Sequence, residues 1–193
     1  KPVIFDNLKN KLVIPHGTMG SRWEDNAKWN LKMIDEETGE AFDPRLSYKG
    51  IEDQVGAVKI PYFSHSGNQV LYRNVPIKTV EQNGEMIYTT TVYDLTLANY
   101  GVDCGLGGEC AQSFNSDMPF TPAWQEKITG VKKELVIQIA REFAQNALDT
   151  NGRSMIIVGA GINHWFNSDT IYRAVLNLVL FTGAQGVNGG GWA

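Results

Sequence analysis

The chain has 193 residues, of which 42% are hydrophobic and 20% charged, with a net charge of −4. That length supports one medium domain or two small ones around a buried core. No cluster of Lys and Arg favours a nucleic-acid partner or an anionic membrane, and no apolar run reaches the ~18 residues that span a bilayer.

Residues 1–56 read as an irregular, extended segment. Pro2, Pro15 and Pro44 interrupt it, Lys11 to Pro15 predicts one short strand, and Glu36 to Glu40 predicts an exposed turn. Trp23 and Trp29 make it too aromatic for disorder, so it is expected to pack on another surface. Residues 57–100 read as a β-hairpin and a short helix. Ala57 to Ile60 is β-prone, and Val75 to Val80 alternates apolar and polar. Asn83-Gly84 supplies a type I′ turn, and Glu85 to Tyr93 returns as a β-branched strand. Asp94 is placed to cap a helix from Leu95 to Tyr100 that Gly101 stops.

Residues 101–193 read as an α/β segment. Its first part, 101–120, is a Gly-, Ser- and Asn-rich loop carrying Cys104 and Cys110. Their spacing is not that of a zinc knuckle and no second ligand pair exists, so they read as reduced loop cysteines; the alternative is a bond or a bound metal. Thr121-Pro122 predicts a helix start and Gly130 a break. From Val131, the residues Leu135, Val136, Ile139, Ala140, Phe143, Ala144 and Ala147 share one helical face, with Lys132, Lys133, Glu134, Gln138 and Glu142 opposite. Asn151-Gly152 ends that helix. Ser154 to Val158 is a continuous apolar run, the pattern of a strand buried on both faces of a parallel sheet. Gly159-Ala160-Gly161 follows, and Ser168 or Asp169 is placed to cap a helix that ends at Gly183. Helix, buried strand, Gly-rich turn and helix make an α/β unit. The start at Lys1 and the stop on Gly189-Gly190-Gly191-Trp192-Ala193 read as a cut from a longer protein.

Ligands of open α/β sheets bind at the carboxyl ends of the strands, which is where Gly159 and Gly161 stand. Glycine there permits a sharp turn and close approach of a ligand to the main chain; the plain alternative is a tight turn with no ligand. The dinucleotide fingerprint needs Gly at 164, where this chain has His, so a nicotinamide-dependent dehydrogenase is the poorer reading. Asn163 and His164 add hydrogen-bonding groups at the mouth of the turn. His16 and His65 read as ordinary hydrogen-bonded surface residues. Gly183, Gly186, Gly189, Gly190 and Gly191 form either a linker or a main-chain cradle.

Gly159-Ala-Gly161-Ile-Asn163-His164, then Asn177-Leu178, then Thr182-Gly183-Ala-Gln-Gly186-Val-Asn-Gly189-Gly190-Gly191, together resemble the dimethyl sulfoxide reductase family of molybdopterin oxidoreductases. Thr121 to Trp124, and Thr129 to Val131 before a helix carrying Ala140-Arg141-Glu142-Phe143-Ala144, resemble it too. Asn163 stands where that family tends to have Gln. Gly152 to Trp165, Thr90 to Gly101, Gly190 to Ala193 and Trp29 to Leu31 look like the α subunits of membrane-bound respiratory nitrate reductases. The resemblance covers nearly the whole chain and is weakest at the N-terminus and in the 101–120 loop.

That resemblance implies a doubly wound cofactor-binding domain in the C-terminal half, with an added hairpin. It implies a full-length parent that reduces nitrate to nitrite at a bis(molybdopterin guanine dinucleotide)molybdenum site and carries a 4Fe-4S cluster. It further implies an iron–sulfur β subunit, a quinol-oxidising γ subunit in the membrane, and a place on the cytoplasmic face of the cell membrane. Gly159, Gly161, Asn163 and His164 match the family's loop near the pterin and metal. On this reading His164 donates a hydrogen bond to the cofactor or an oxygen ligand, Asn163 shapes the nitrate pocket, and Trp165 packs. The cluster ligands and the molybdenum-ligating Asp match nothing here, so this segment contributes scaffold rather than a metal ligand. Alone it is expected to bind no cofactor and to be inactive. The rival readings are a selenate, chlorate or hydrocarbon-oxidising relative, or a ligand-free structural module.

Overall fold

The computed structural model describes residues 3–17, 32–64 and 67–193. Trp23, Trp29 and His65 lie outside them. The chain divides into two compact units, residues 1–121 and 122–193.

The first unit opens with β1 (Ile4–Asp6), β2 (Lys11–Val13) and β3 (Pro44–Arg45), an antiparallel sheet in the order β2-β1-β3. The described residues of the 1–56 segment are therefore less irregular than their pattern suggests. Strands of two or three residues carry no readable alternation; long-range pairing creates them, with Phe5 opposite both Leu12 and Arg45. Phe5 meets Tyr48 edge to face, with ring centroids 5.2 Å apart, and both pack with Val80 as a buried core. The turn expected at Glu36 to Glu40 is present. The buried Asp35 carboxylate accepts the Glu37 N–H and the Thr38 hydroxyl there.

The second sheet follows: β4 (Gln54–Ser64), β5 (Gly67–Gln82) and β6 (Glu85–Thr89), antiparallel in that order. Asn83 and Gly84 both have positive φ, 53° and 81°, as the type I′ turn requires. β6 stops at Thr89, not Tyr93, because Thr91 caps α1 (Val92–Tyr100). Asp94 is thus inside the helix rather than at its cap. Its N–H donates to Thr91 Oγ1, while its carboxylate accepts from the Thr91 and Ser47 hydroxyls and the Tyr48 N–H. The cap therefore supplies only one half of a capping box, the bond from the N3 N–H to the cap oxygen, and the carboxylate is used instead to hold a neighbouring loop.

Arg73 of β5 is fully buried. Its Nη1 donates to the carbonyls of Ala98 and Asn99 at the end of α1, and its Nε to the Glu109 carbonyl. Unpaired carbonyls at a helix C-terminus attract a cation, so one side chain fastens α1 and the following loop to β5. The loop also pairs with the strand directly: Glu109 N–H donates to the Tyr72 carbonyl, and Tyr72 N–H to the Glu109 carboxylate. Cys104 and Cys110 are free, half-buried thiols in this loop, and burial pushes the pKa of both up. Among the described residues no group of three or more His, Cys, Asp and Glu could hold a metal ion.

The second unit contains α2 (Pro122–Thr129), α3 (Lys133–Asp149), β7 (Met155–Ile156), a 3-10 helix (Ala160–His164), α4 (Ser168–Phe181) and β8 (Gly191–Trp192). β7 and β8 pair in parallel, with Met155 opposite Gly191 and Ile156 opposite Trp192. The fold is therefore mixed, with helices and small sheets, as an α/β reading requires. Glu126 of α2 joins the helices by accepting from Lys132 Nζ and the Lys133 N–H at the start of α3. Two expectations change. The cap of α4 is Asn167, in the left-handed region at φ 63° with no side-chain cap bond, rather than Ser168 or Asp169. The 154–158 run forms a two-residue strand, and Ile157 is 79% exposed. Its composition suits burial on both faces, but within this unit β8 is the strand it pairs with. The apolar stripe of α3 is likewise open, with Ile139 56% exposed. Among the described residues no helix is long and apolar enough to cross a membrane.

Candidate functional site

The site begins with what anchors β7. Ser154 is buried, donates to the Phe143 carbonyl of α3 and accepts from Asn146 Nδ2. On the other side, Gly191 N–H donates to the Ser154 carbonyl, Ala193 N–H to that of Ile156, and Val158 N–H to that of Ala193. The strand end thus has a fixed direction before the chain turns at Gly159.

The chain then turns into the 3-10 helix, which ends at His164. Gly159 is extended, with φ −85° and ψ 170°, a conformation open to any residue. A Cβ built on Gly159 or Gly161 meets nothing within 4 Å. Neither backbone conformation nor internal packing asks for glycine at Gly159. The two glycines instead leave a stretch of bare main chain facing open space at the carboxyl end of β7.

Gly152 and Gly190 are the opposite case. A Cβ on Gly190 falls 2.0 Å from the Gly152 carbonyl oxygen, and one on Gly152, at φ 91°, falls 2.6 Å from that of Gly183. Ala184, whose carbonyl oxygen lies 2.8 Å from the same Gly190 Cβ, is fully buried. Of the C-terminal glycines, Gly190 is thus used for packing: it lets one backbone lie on another just before β8.

Asn163 and His164 both stand exposed on the turn. The Tyr172 hydroxyl of α4 donates to Asn163 Oδ1. The Tyr172 ring in turn lies 5.2 Å from the Trp192 ring of β8, tilted by 31°. All four predicted site residues, Gly159, Gly161, Asn163 and His164, are therefore brought to one end of β7. Trp165 does not pack: it is 64% exposed, beside Phe166 at 93%. His16 departs from its surface reading, since its Nδ1 is buried without a hydrogen-bond partner among the described residues. Sequence reasoning missed Tyr172 and Trp192 as parts of the site. Tyr172 falls in the apolar stripe of α4, and nothing in that spacing signals where its hydroxyl reaches.

The chemistry this arrangement offers is placement. It presents main chain, an amide and an imidazole, with no activated nucleophile and no metal cluster among the described residues.

Residues 3–193 match the family model described as molybdopterin oxidoreductase. The chain is 68% identical, over its full length, to a nitrate reductase alpha chain of Bacillus subtilis, and covers 16% of that protein. It is 46% identical to the respiratory nitrate reductase 1 alpha chain of Escherichia coli, again along its whole length and over 16% of the relative. A perchlorate reductase subunit alpha of Dechloromonas aromatica matches 37% of the chain at 45% identity. The chain thus spans about one sixth of the length of the nitrate reductase chains it resembles.

Proposed function

We propose that this chain, which belongs to the molybdopterin oxidoreductase family, is a segment of the catalytic subunit of a respiratory nitrate reductase. The observation that carries the reading is the unbroken 68% identity to a nitrate reductase alpha chain along all 193 residues. The match to the perchlorate reductase subunit covers little more than a third of the chain, so nitrate is the substrate of choice.

The residues of the turn fit a molybdopterin cofactor. A Cβ at Gly159 or Gly161 would occupy space that the protein itself leaves open, and close main-chain approach is what a polar, phosphate-bearing group uses. The Asn163 amide and His164 ring add donors at the same edge. Gly159, Gly161, Asn163 and His164 hold the bis(molybdopterin guanine dinucleotide) form on this reading, with His164 donating to the cofactor and Asn163 facing the nitrate pocket. The group supplies, when bound, the two-electron chemistry that turns nitrate and two protons into nitrite and water. This segment supplies position and hydrogen bonds.

The open faces of β7 and the bare stripe of α3 support a doubly wound sheet completed by further strands and helices of the parent. The metal ligand and a 4Fe-4S cluster belong to those other parts, so the segment alone is inactive. Electrons reach it from an iron–sulfur β subunit and a quinol-oxidising γ subunit, at the cytoplasmic face of the membrane.

The test is the parent protein expressed with its partners, assayed for molybdenum and iron and for nitrate reduction by a reduced viologen dye. Bound metal with nitrate turnover is the expected result. Bound metal without nitrate turnover moves the substrate to another oxyanion, and matured protein without molybdenum overturns the assignment.

A further inference from the structure

Resting on the nitrate reading, we propose that Tyr172 is a positioning residue that fixes the Asn163 amide with its N–H bonds turned toward the oxyanion substrate.

An Asn side chain can face an anion in two ways. Its NH2 group donates and attracts; its carbonyl oxygen accepts and repels. The terminal torsion of Asn is broad and roughly two-fold, so an exposed amide on a turn has no strong preference of its own. The preference comes from a neighbour. The Tyr172 hydroxyl donates its one proton to Asn163 Oδ1. No further hydrogen bond holds Asn163 Nδ2 among the described residues. Both Nδ2 hydrogens therefore remain for a ligand, and nitrate offers only acceptor oxygens to meet them.

The hydroxyl can do this because its ring is held in place. Tyr172 lies against Trp192, 5.2 Å between centroids. Trp192 sits opposite Ile156 in the β7–β8 pair, and the Ala193 N–H donates to the Ile156 carbonyl beside it. The strand that ends beneath the turn and the aromatic pair that orients the turn's amide are thus one assembly. Gly190, which lets the returning backbone cross the Gly152 carbonyl, gives the Trp192 segment its path. A feature that looks purely structural ends in the direction of one amide.

Substitution of Tyr172→Phe keeps the ring and its Trp192 neighbour and removes only the proton. In the full-length holoenzyme with its partner subunits, the nitrate dissociation constant of the oxidised enzyme, where no turnover occurs, is expected to rise about tenfold, the scale of one hydrogen bond to a charged group. The nitrate KM should rise with it, while kcat at saturating nitrate changes far less and molybdenum content stays at the wild-type level. Asn163→Asp keeps an acceptor for Tyr172 but turns a carboxylate toward the anion, so nitrate binding should weaken further still. Adding Tyr172→Phe to Asn163→Asp should then cost much less than it does alone, since no donor remains to be aimed. An unchanged nitrate dissociation constant in a fully loaded Tyr172→Phe enzyme overturns the inference. So does a loss of molybdenum, which would make Tyr172 a support for the cofactor. A wild-type enzyme that neither binds nor reduces nitrate fails the function itself, and the inference with it.

Discussion

Two pairs of glycines in the second unit, Gly152 with Gly190 and Gly159 with Gly161, use the same residue for opposite ends. At Gly152 and Gly190 a Cβ would strike a carbonyl oxygen of the protein's own backbone, at 2.6 and 2.0 Å. At Gly159 and Gly161 it would strike nothing. The first pair is spent inside the molecule, on close passage of two chain segments; the second leaves room outside it. A glycine that no φ angle and no internal neighbour requires points to a visitor, and a glycine jammed against main chain points to packing.

The sharpest way to break this comparison is Gly190→Ala. Its methyl group has no flexible side chain to push aside, only the Gly152 and Ala184 carbonyls. The parent protein should lose about 3 kcal/mol of stability or more, the upper range for overpacking, read as a lowered thermal midpoint with loss of β8 pairing in hydrogen exchange. An unaltered midpoint would show that the crossing is loose.

Gly159→Ala should do the reverse. Its extended backbone accepts Ala without strain, so stability should stay within ~0.5 kcal/mol of wild type, while molybdenum content per subunit falls several-fold. Full molybdenum loading in that variant would return the loop to a plain turn. His164→Ala belongs with it: normal folding, with nitrate turnover reduced at least tenfold as a placed donor is removed, on the scale of a hydrogen bond to a charged group. Wild-type turnover at normal nitrate affinity would remove His164 from the site.

The smallest effect is expected away from both pairs, at the α2–α3 junction. The Lys132 ammonium and then the Lys133 N–H hold the Glu126 carboxyl below the usual carboxylate range. A carboxyl depressed in the folded state stabilises that state above its unfolded pKa, and the contribution is lost as pH falls through the folded value. Lys132 is exposed and Glu126 only half-buried, so Glu126→Gln should shift the thermal midpoint only slightly at neutral pH and not at all once the carboxyl is protonated. A shift that persists in acid would mean that Glu126 acts through its hydrogen bonds alone.

Much of this was legible from residue order. Asn83-Gly84 announces its turn because two consecutive positive φ angles leave few other choices. α3 declares itself by its period, and the Gly159 to His164 turn by its place after an apolar run. Other features were not legible. Thr91 rather than Asp94 caps α1, because the Asp94 carboxylate is engaged by Ser47 and Tyr48, more than forty positions away. β1, β2 and β3 are too short to show a pattern and exist through their partners. The buried Arg73 gives no sign in the sequence that it ends a helix twenty-five residues further on.

Sequence alone determined the periods, the turns and the family, since each rests on residues that are neighbours along the chain or on a motif read in order. Tertiary structure alone decided which glycines are packed and which are open, and that Asn163 faces outward under the hand of Tyr172. Those facts depend on where distant backbones meet, and on α4 bringing a hydroxyl nine positions along the chain back to the turn.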